Sequence, residues 1–115
     1  MKSKKLVRKH IQKQLDSGIT QKGFAKAIGF ENPNNVSMLL SDNYGTTLSL
    51  NRLPALASVC GLDDREIIQF ALARVEDAGD NPVEINKETL VWLLKTFAKV
   101  AAEHHRTVAC RAVSA

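Results

Sequence analysis

An all-α fold is predicted by three features of the 115-residue sequence. Apolar residues recur at three- and four-residue spacing along most of the chain. The stretches that carry them are separated by Gly, Pro, Asn, Asp and Thr at positions that start or stop helices. No stretch alternates with the period of two that a half-buried strand requires. Composition agrees: 44% hydrophobic and 24% charged residues, with six Gly and three Pro, describe a chain that folds and exclude disordered, collagenous and low-complexity classes. The length suits one domain with an appended element and excludes a large multidomain enzyme. Aromatics make up only 5%, so the core must be aliphatic and there is little material for stacking unpaired bases.

The elements follow in order. Residues 5–17 set Val7, Ile11 and Leu15 on one face and Lys5, Lys9 and Lys13 on another, an amphipathic helix stopped by Gly18. Thr20 is the expected hydroxyl cap of a second helix, Gln21 to Ile28, with Phe24, Ala25 and Ile28 inward and Gly29 as its end. Asn32-Pro33 opens a third, Asn34 to about Ser41, anchored by Val36, Leu39 and Leu40. Turn residues Asp42 to Thr47 lead to a fourth helix, about Asn51 to Cys60, which tolerates Pro54 only in its first turn. Gly61 closes it. Asp63 or Asp64 caps a fifth helix to Ala78, with Ile67, Ile68, Ala71, Leu72 and Val75 as the expected apolar strip.

Gly79-Asp-Asn-Pro82 breaks the helical pattern and holds nothing worth burying, so residues 1–78 are expected to form the domain and 79–85 a linker. Beyond it, residues 86–106 form an amphipathic helix capped by Asn86. Its Leu90, Leu94 (or Leu93), Phe97 and Ala101 approach an a/d seam, which makes them candidates for a dimer interface, although folding back onto the domain is the competing arrangement. Residues 107–115 are expected to be a flexible tail.

Charge is distributed unevenly. Residues 1–29 carry eight Lys and Arg against Asp16 alone, whereas residues 30–84 carry three against nine acidic groups. Such asymmetry suggests contact with a polyanion through one face. Cys60 and Cys110 are too few for a disulfide framework or a Cys-rich zinc site, which suits a reducing compartment. Leu6-Val7 is followed at once by Arg8, Lys9 and His10, so no secretory apolar stretch develops, and no run approaches the length of a membrane span. A cytoplasmic protein is expected. His104 and His105 are adjacent, about 100° apart on a helix, and do not make the i, i+4 pair that would share a metal. Neither a phosphate-cradling glycine loop nor a nucleophile elbow is present, so no enzyme activity and no cofactor are expected.

The most informative segment is Thr20-Gln-Lys-Gly-Phe-Ala25-Lys-Ala-Ile-Gly29 with Val36 seven residues on. Where two helices cross closely a small residue is required, and the turn after the first often needs positive φ; Ala25 and Gly29 meet both demands. Val36 then anchors a helix whose outer face carries Asn34, Asn35, Ser37, Met38 and Ser41, the position of a recognition helix. Together with Leu48-Ser-Leu-Asn-Arg-Leu-Pro-Ala-Leu-Ala-Ser-Val-Cys-Gly-Leu62, this pattern resembles the lambda-repressor-like (Cro and XRE) helix-turn-helix domains of phage and bacterial regulators, over residues 5 to about 75. Two departures stand out: the turn is about one residue longer than the commonest form, and the third helix has no Arg or Lys.

The resemblance implies a five-helix DNA-binding domain with an added C-terminal helix. It also implies a sequence-specific transcriptional regulator, a repressor that works as a homodimer on a palindromic duplex. Asn34 and Asn35, with Ser37, Met38 and Ser41, would face base edges, Asn suiting adenine and Met a thymine methyl. Gln21, Lys22, Asn43, Tyr44, Thr46 and Thr47 would contact phosphates, and Lys2, Lys4 and Lys5 would form a basic arm over residues 1–5 along the duplex. No small-molecule ligand and no membrane partner are implied. The alternative is a helix-turn-helix scaffold used as a protein-binding adaptor or antitoxin-like module, a reading kept open by the uncharged third helix.

Overall fold

The computed structural model describes residues 2–41, 44–45 and 47–114, with side chains as far as Glu103. Six α-helices and no strand occur among the described residues: α1 Lys2–Asp16, α2 Gln21–Ala27, α3 Asn34–Leu40, α4 Leu53–Cys60, α5 Asp64–Ala78 and α6 Lys87–Ser114, with a single 3₁₀ turn, Leu50–Arg52, leading into α4. Four of the starts have a local cause. Thr20 Oγ1 accepts from the Gly23 N–H at 3.0 Å. Asn32 Oδ1 accepts from the Asn34 N–H at 3.0 Å. Asp63 and Glu66 form a reciprocal capping box, and Asn86 Oδ1 accepts from the Thr89 N–H at 2.8 Å. The Asn86 N–H in turn donates to Asn51 Oδ1 at 2.7 Å, tying the start of α6 to the 3₁₀ turn.

Val7 and Ile11 of α1 lie at the centre of the core, surrounded by Phe24, Ile28, Val36, Leu39, Leu48, Leu53, Leu56, Ile67 and Phe70. All of these are almost completely buried. The core is aliphatic apart from two Phe, as the composition requires. At roughly 1.5 to 3 kcal/mol for each large apolar side chain removed from water, this cluster is the main source of stability.

The expected basic arm does not exist as an arm. Lys2, Lys4 and Lys5 belong to the first turn of α1, which starts three residues earlier than the apolar periodicity indicates. The reason lies far along the chain. Asp77, at the end of α5, accepts from the Lys2 N–H at 2.8 Å and the Ser3 N–H at 2.9 Å, and from Ser3 Oγ. Asp77 thereby supplies the cap that α1 lacks in its own sequence. Lys2 Nζ pairs with Glu76 at 2.5 Å, and the hydrogen bond it donates to Glu76 raises the Lys2 pKa. Lys4 is buried and donates to the Tyr44 carbonyl oxygen. Lys5 lines a shallow groove between α1 and α5 beside Gln69 and Leu72.

Two further expectations are corrected. In α5 the buried side chains are Ile67, Phe70, Ala71 and Ala73, while Leu72 and Val75 are exposed, because α5 packs against both α1 and α6 and these two fall outside the covered faces. Within the expected linker Gly79 to Pro82 are exposed, whereas Val83 and Ile85 pack against the core. Residues 107–114 continue α6 instead of forming a tail, in keeping with the helix formers Ala109, Arg111 and Ala112.

Burial pushes the Asp77 carboxyl upward, and this is the largest single influence, but the two Ser3 bonds and the Lys2 N–H together hold it below its ordinary value of 3.8. A depressed folded-state pKa means that the stabilisation is complete above about pH 3.8 and is lost as the pH falls through the lower folded value. Asp77→Ala is expected to lower unfolding stability by about 1 kcal/mol at neutral pH, the usual cost of a lost helix cap. Below pH 4 the difference should shrink, which denaturant titrations at pH 7 and pH 3 would measure.

Candidate functional site

The side chains of interest gather where α2 meets α3. Capping by Thr20 sets the phase of α2, so that Phe24 and Ala25 face inward and Gln21, Lys22 and Lys26 lie exposed. Ala25 is only 1% exposed. A larger side chain there would push α3 away. The turn then depends on Gly29, whose φ is +83°, and on the Phe30 N–H donating to the Ala25 carbonyl at 2.8 Å.

Arg52 secures this turn from the far side. Its Nη1 donates to the carbonyl oxygens of Ile28 at 3.0 Å and Gly29 at 2.9 Å, and its guanidinium lies 4.7 Å from the centroid of the Phe30 ring. These are the carbonyls left without intrahelical partners at the end of α2, so a cation here satisfies them and complements the helix dipole. A Cβ on Gly29 would stand 3.1 Å from Arg52 Nη1.

Beyond the turn, α3 is held by Val36 and Leu39, buried against α1 and α2. Its other side divides. Asn34 and Ser37 are exposed, whereas Asn35, Met38 and Ser41 are half-buried. Ser37 Oγ donates to Gln21 Oε1 at 2.8 Å, which joins the first residue of α2 to the middle of α3. With its oxygen engaged, the Gln21 amide keeps its NH₂ group to donate outward. Asn35 instead lines a recess of about 220 Å³ with Thr47, Ser49 and Arg52. Tyr44 is exposed, its carbonyl held by Lys4. Asn43 and Thr46 lie outside the described residues.

The expected grouping is therefore partly realised. Gln21, Lys22, Asn34 and Ser37 share one open surface, while Lys2, Lys4 and Lys5 lie in the first turn of α1, Lys2 paired with Glu76 and Lys4 bonded to the Tyr44 carbonyl. Lys26, one turn after Lys22, is exposed and was not anticipated; i, i+4 spacing from Lys22 is the signal that points to it. Arg52 has no comparable local signature, because its partners stand more than twenty residues away in sequence. Among the described residues no three His, Cys, Asp or Glu side chains gather as a metal ion would require, and His104, His105 and Cys110 lie outside the described side chains. Burial pushes the half-buried Cys60 thiol up to about 11, which leaves little thiolate at neutral pH. Among the described residues no helix is long and apolar enough to cross a membrane.

Comparison with protein-family models, with curated proteins and with solved structures finds no match to this chain.

Arg52→Ala is expected to cost about 1.5 kcal/mol, since two carbonyls lose a charged donor that is only partly replaceable by water. Gly29→Ala should cost about 1 kcal/mol or more, because it combines positive φ with the close approach of Arg52. Guanidinium unfolding of both variants, alongside amide exchange at Phe30, would measure these losses. Unchanged exchange at Phe30 in Arg52→Ala would mean that the clamp does not hold the turn.

Proposed function

We propose that the protein is a sequence-specific double-stranded DNA-binding regulator of the lambda-repressor-like helix-turn-helix kind, acting as a repressor by occupying a palindromic site as a dimer. The observation that carries this reading is the state of α3: its inner residues are sealed in the core while Asn34 and Ser37 stand open beside Gln21. A helix buried on one side and polar, uncharged and unobstructed on the other is suited to entering a major groove, where an Asn side chain pairs bidentately with adenine. Gln21, Lys22 and Lys26 flank that surface as donors to phosphates. The half-site is accordingly weighted towards A·T pairs, with Met38 beside a thymine methyl. The work is occupancy rather than chemistry, in a cytoplasmic setting.

The withdrawal of Lys2, Lys4 and Lys5 reduces the ionic part of this reading. Lys22 and Lys26 leave about four phosphate neutralisations per dimer, so log K should fall against log salt with a slope of about −4. Lys22→Gln should bring the slope to about −2, equally for all sequences. Asn34→Ala should relax base preference at one position and cost about 1 to 3 kcal/mol of discrimination. Selection of bound sites from random duplexes, followed by salt titration of the selected site, tests both. Recovery of no enriched sequence by the folded wild-type protein would defeat the proposal. Retention of full affinity by an Asn34→Ala and Asn35→Ala double variant would favour a protein-binding scaffold instead.

A further inference from the structure

The C-terminal helix has two apolar sides. One faces the body of the protein through Thr89, Leu93 and Thr96, all buried, with Trp92 packed against the core. This settles the choice between Leu93 and Leu94 on that side. The other side leaves Leu90 43%, Leu94 59% and Phe97 38% exposed. Across from them Leu72 and Val75 of α5 are each 51% exposed, and the space between is a groove of about 260 Å³ floored by Ala71, Val83 and Ile85.

We infer that this α5–α6 groove is the seat of α6 from a second copy of the chain, related by a two-fold axis. Its purpose, the pairing of two α3 helices on one duplex, rests on the function proposed above.

Three observations select this occupant. The lining contains no charged or polar side chain, so nothing is present to recognise an acidic, basic or hydrogen-bonding partner; such a surface has the composition of a permanent homodimer interface. The surface also holds a ridge, Leu90, Leu94 and Phe97, and a trough beside Leu72 and Val75. A two-fold rotation can therefore set each ridge into the other copy's trough. With about 60 to 110 Å² open on each of these side chains and on Val91 at their edge, full pairing of two copies removes up to about 1,000 Å² from water, the lower threshold for a specific interface. One copy alone exposes about 500 Å² of continuous apolar surface, near the upper limit for a monomer.

The third observation is the reach of α6. Its 28 residues give about 42 Å of helix, and the molecule extends 54 Å along its longest axis against 26 Å along its shortest. From Phe97 to Glu103 no described side chain of the helix is buried, and Ala101 to Glu103 are exposed. A neighbouring copy would cover part of this stretch.

Sedimentation equilibrium of the full chain at micromolar concentration, without DNA, tests the inference. The wild type should sediment at twice the 12.6 kDa chain mass. Leu94→Glu on the ridge and Leu72→Glu on the trough should each return it to the single-chain mass with helical circular dichroism retained, since both positions are more than half exposed. A wild type that sediments as a single chain overturns the inference, as does a folded Leu94→Glu or Leu72→Glu variant that remains dimeric. If either glutamate variant loses its helical signal, Leu94→Gln and Leu72→Gln take its place, with at least a tenfold weaker dimer expected and unchanged dimerisation as the overturning result. A dimer that enriches no duplex sequence leaves the groove assignment standing and removes the DNA-binding reading; a monomer that enriches half-sites does the reverse.

Discussion

The geometry of the site depends on one residue outside it. Arg52, on the turn before α4, holds the Ile28 and Gly29 carbonyls and covers Phe30. Without that hold the end of α2 would present bare carbonyls, and the angle between α2 and α3 would lose its directional restraint on the turn side. Apolar contacts are non-directional. Two hydrogen bonds from one guanidinium nitrogen supply the direction. The Ser37 to Gln21 bond on the outer surface then couples the same two helices from the opposite side, so α3 is fixed at both its inner and outer edges.

Charge placement follows a similar economy of position. The basic start of the chain suggests a polyanion, yet the structure uses much of it internally. Lys2 and Ser3 answer the acidic end of α5, and Lys4 fixes the backbone of the segment that follows α3. The excess of positive charge in residues 1–29 and the acidic excess beyond are thus partly two halves of one intramolecular contact. What remains open beside α3 is the modest pair Lys22 and Lys26. A surface of that kind depends more on hydrogen bonding and shape than on charge for its selectivity.

Helix starts were legible in the sequence because capping is local: Thr20, Asn32, Asp63 and Asn86 all act within three residues of themselves. The inward faces of α1, α2 and α3 were legible for the same reason, since Val7, Phe24, Ala25 and Val36 follow a single periodicity. The reading failed where an element has two neighbours. Helix α5 lies between α1 and α6, so of its five apolar candidates Ile67 and Ala71 reach the core while Leu72 and Val75 stay exposed, and Phe70, off the expected strip, is buried with the first pair. In α6 the adjacent Leu93 and Leu94 point about 100° apart, and only the position of α5 decides which is buried. Asp77 with Ser3, Lys4 with Tyr44 and Arg52 with Gly29 were not legible at all, because contacts across 74, 40 and 23 residues leave no mark on spacing.

The Asp77 contact also bears on how the molecule comes into being. As the polypeptide leaves the ribosome, α1 emerges early, yet the carboxylate that completes its first turn is not made until more than seventy residues later. Until then that turn can only fray, and the Lys4 tether to Tyr44 has no settled anchor. Closing so large a loop carries an entropic cost that only the assembled core can offset. The first turn of α1 is therefore completed only once α5 has been made and docked, so the two ends of the helical domain are secured together.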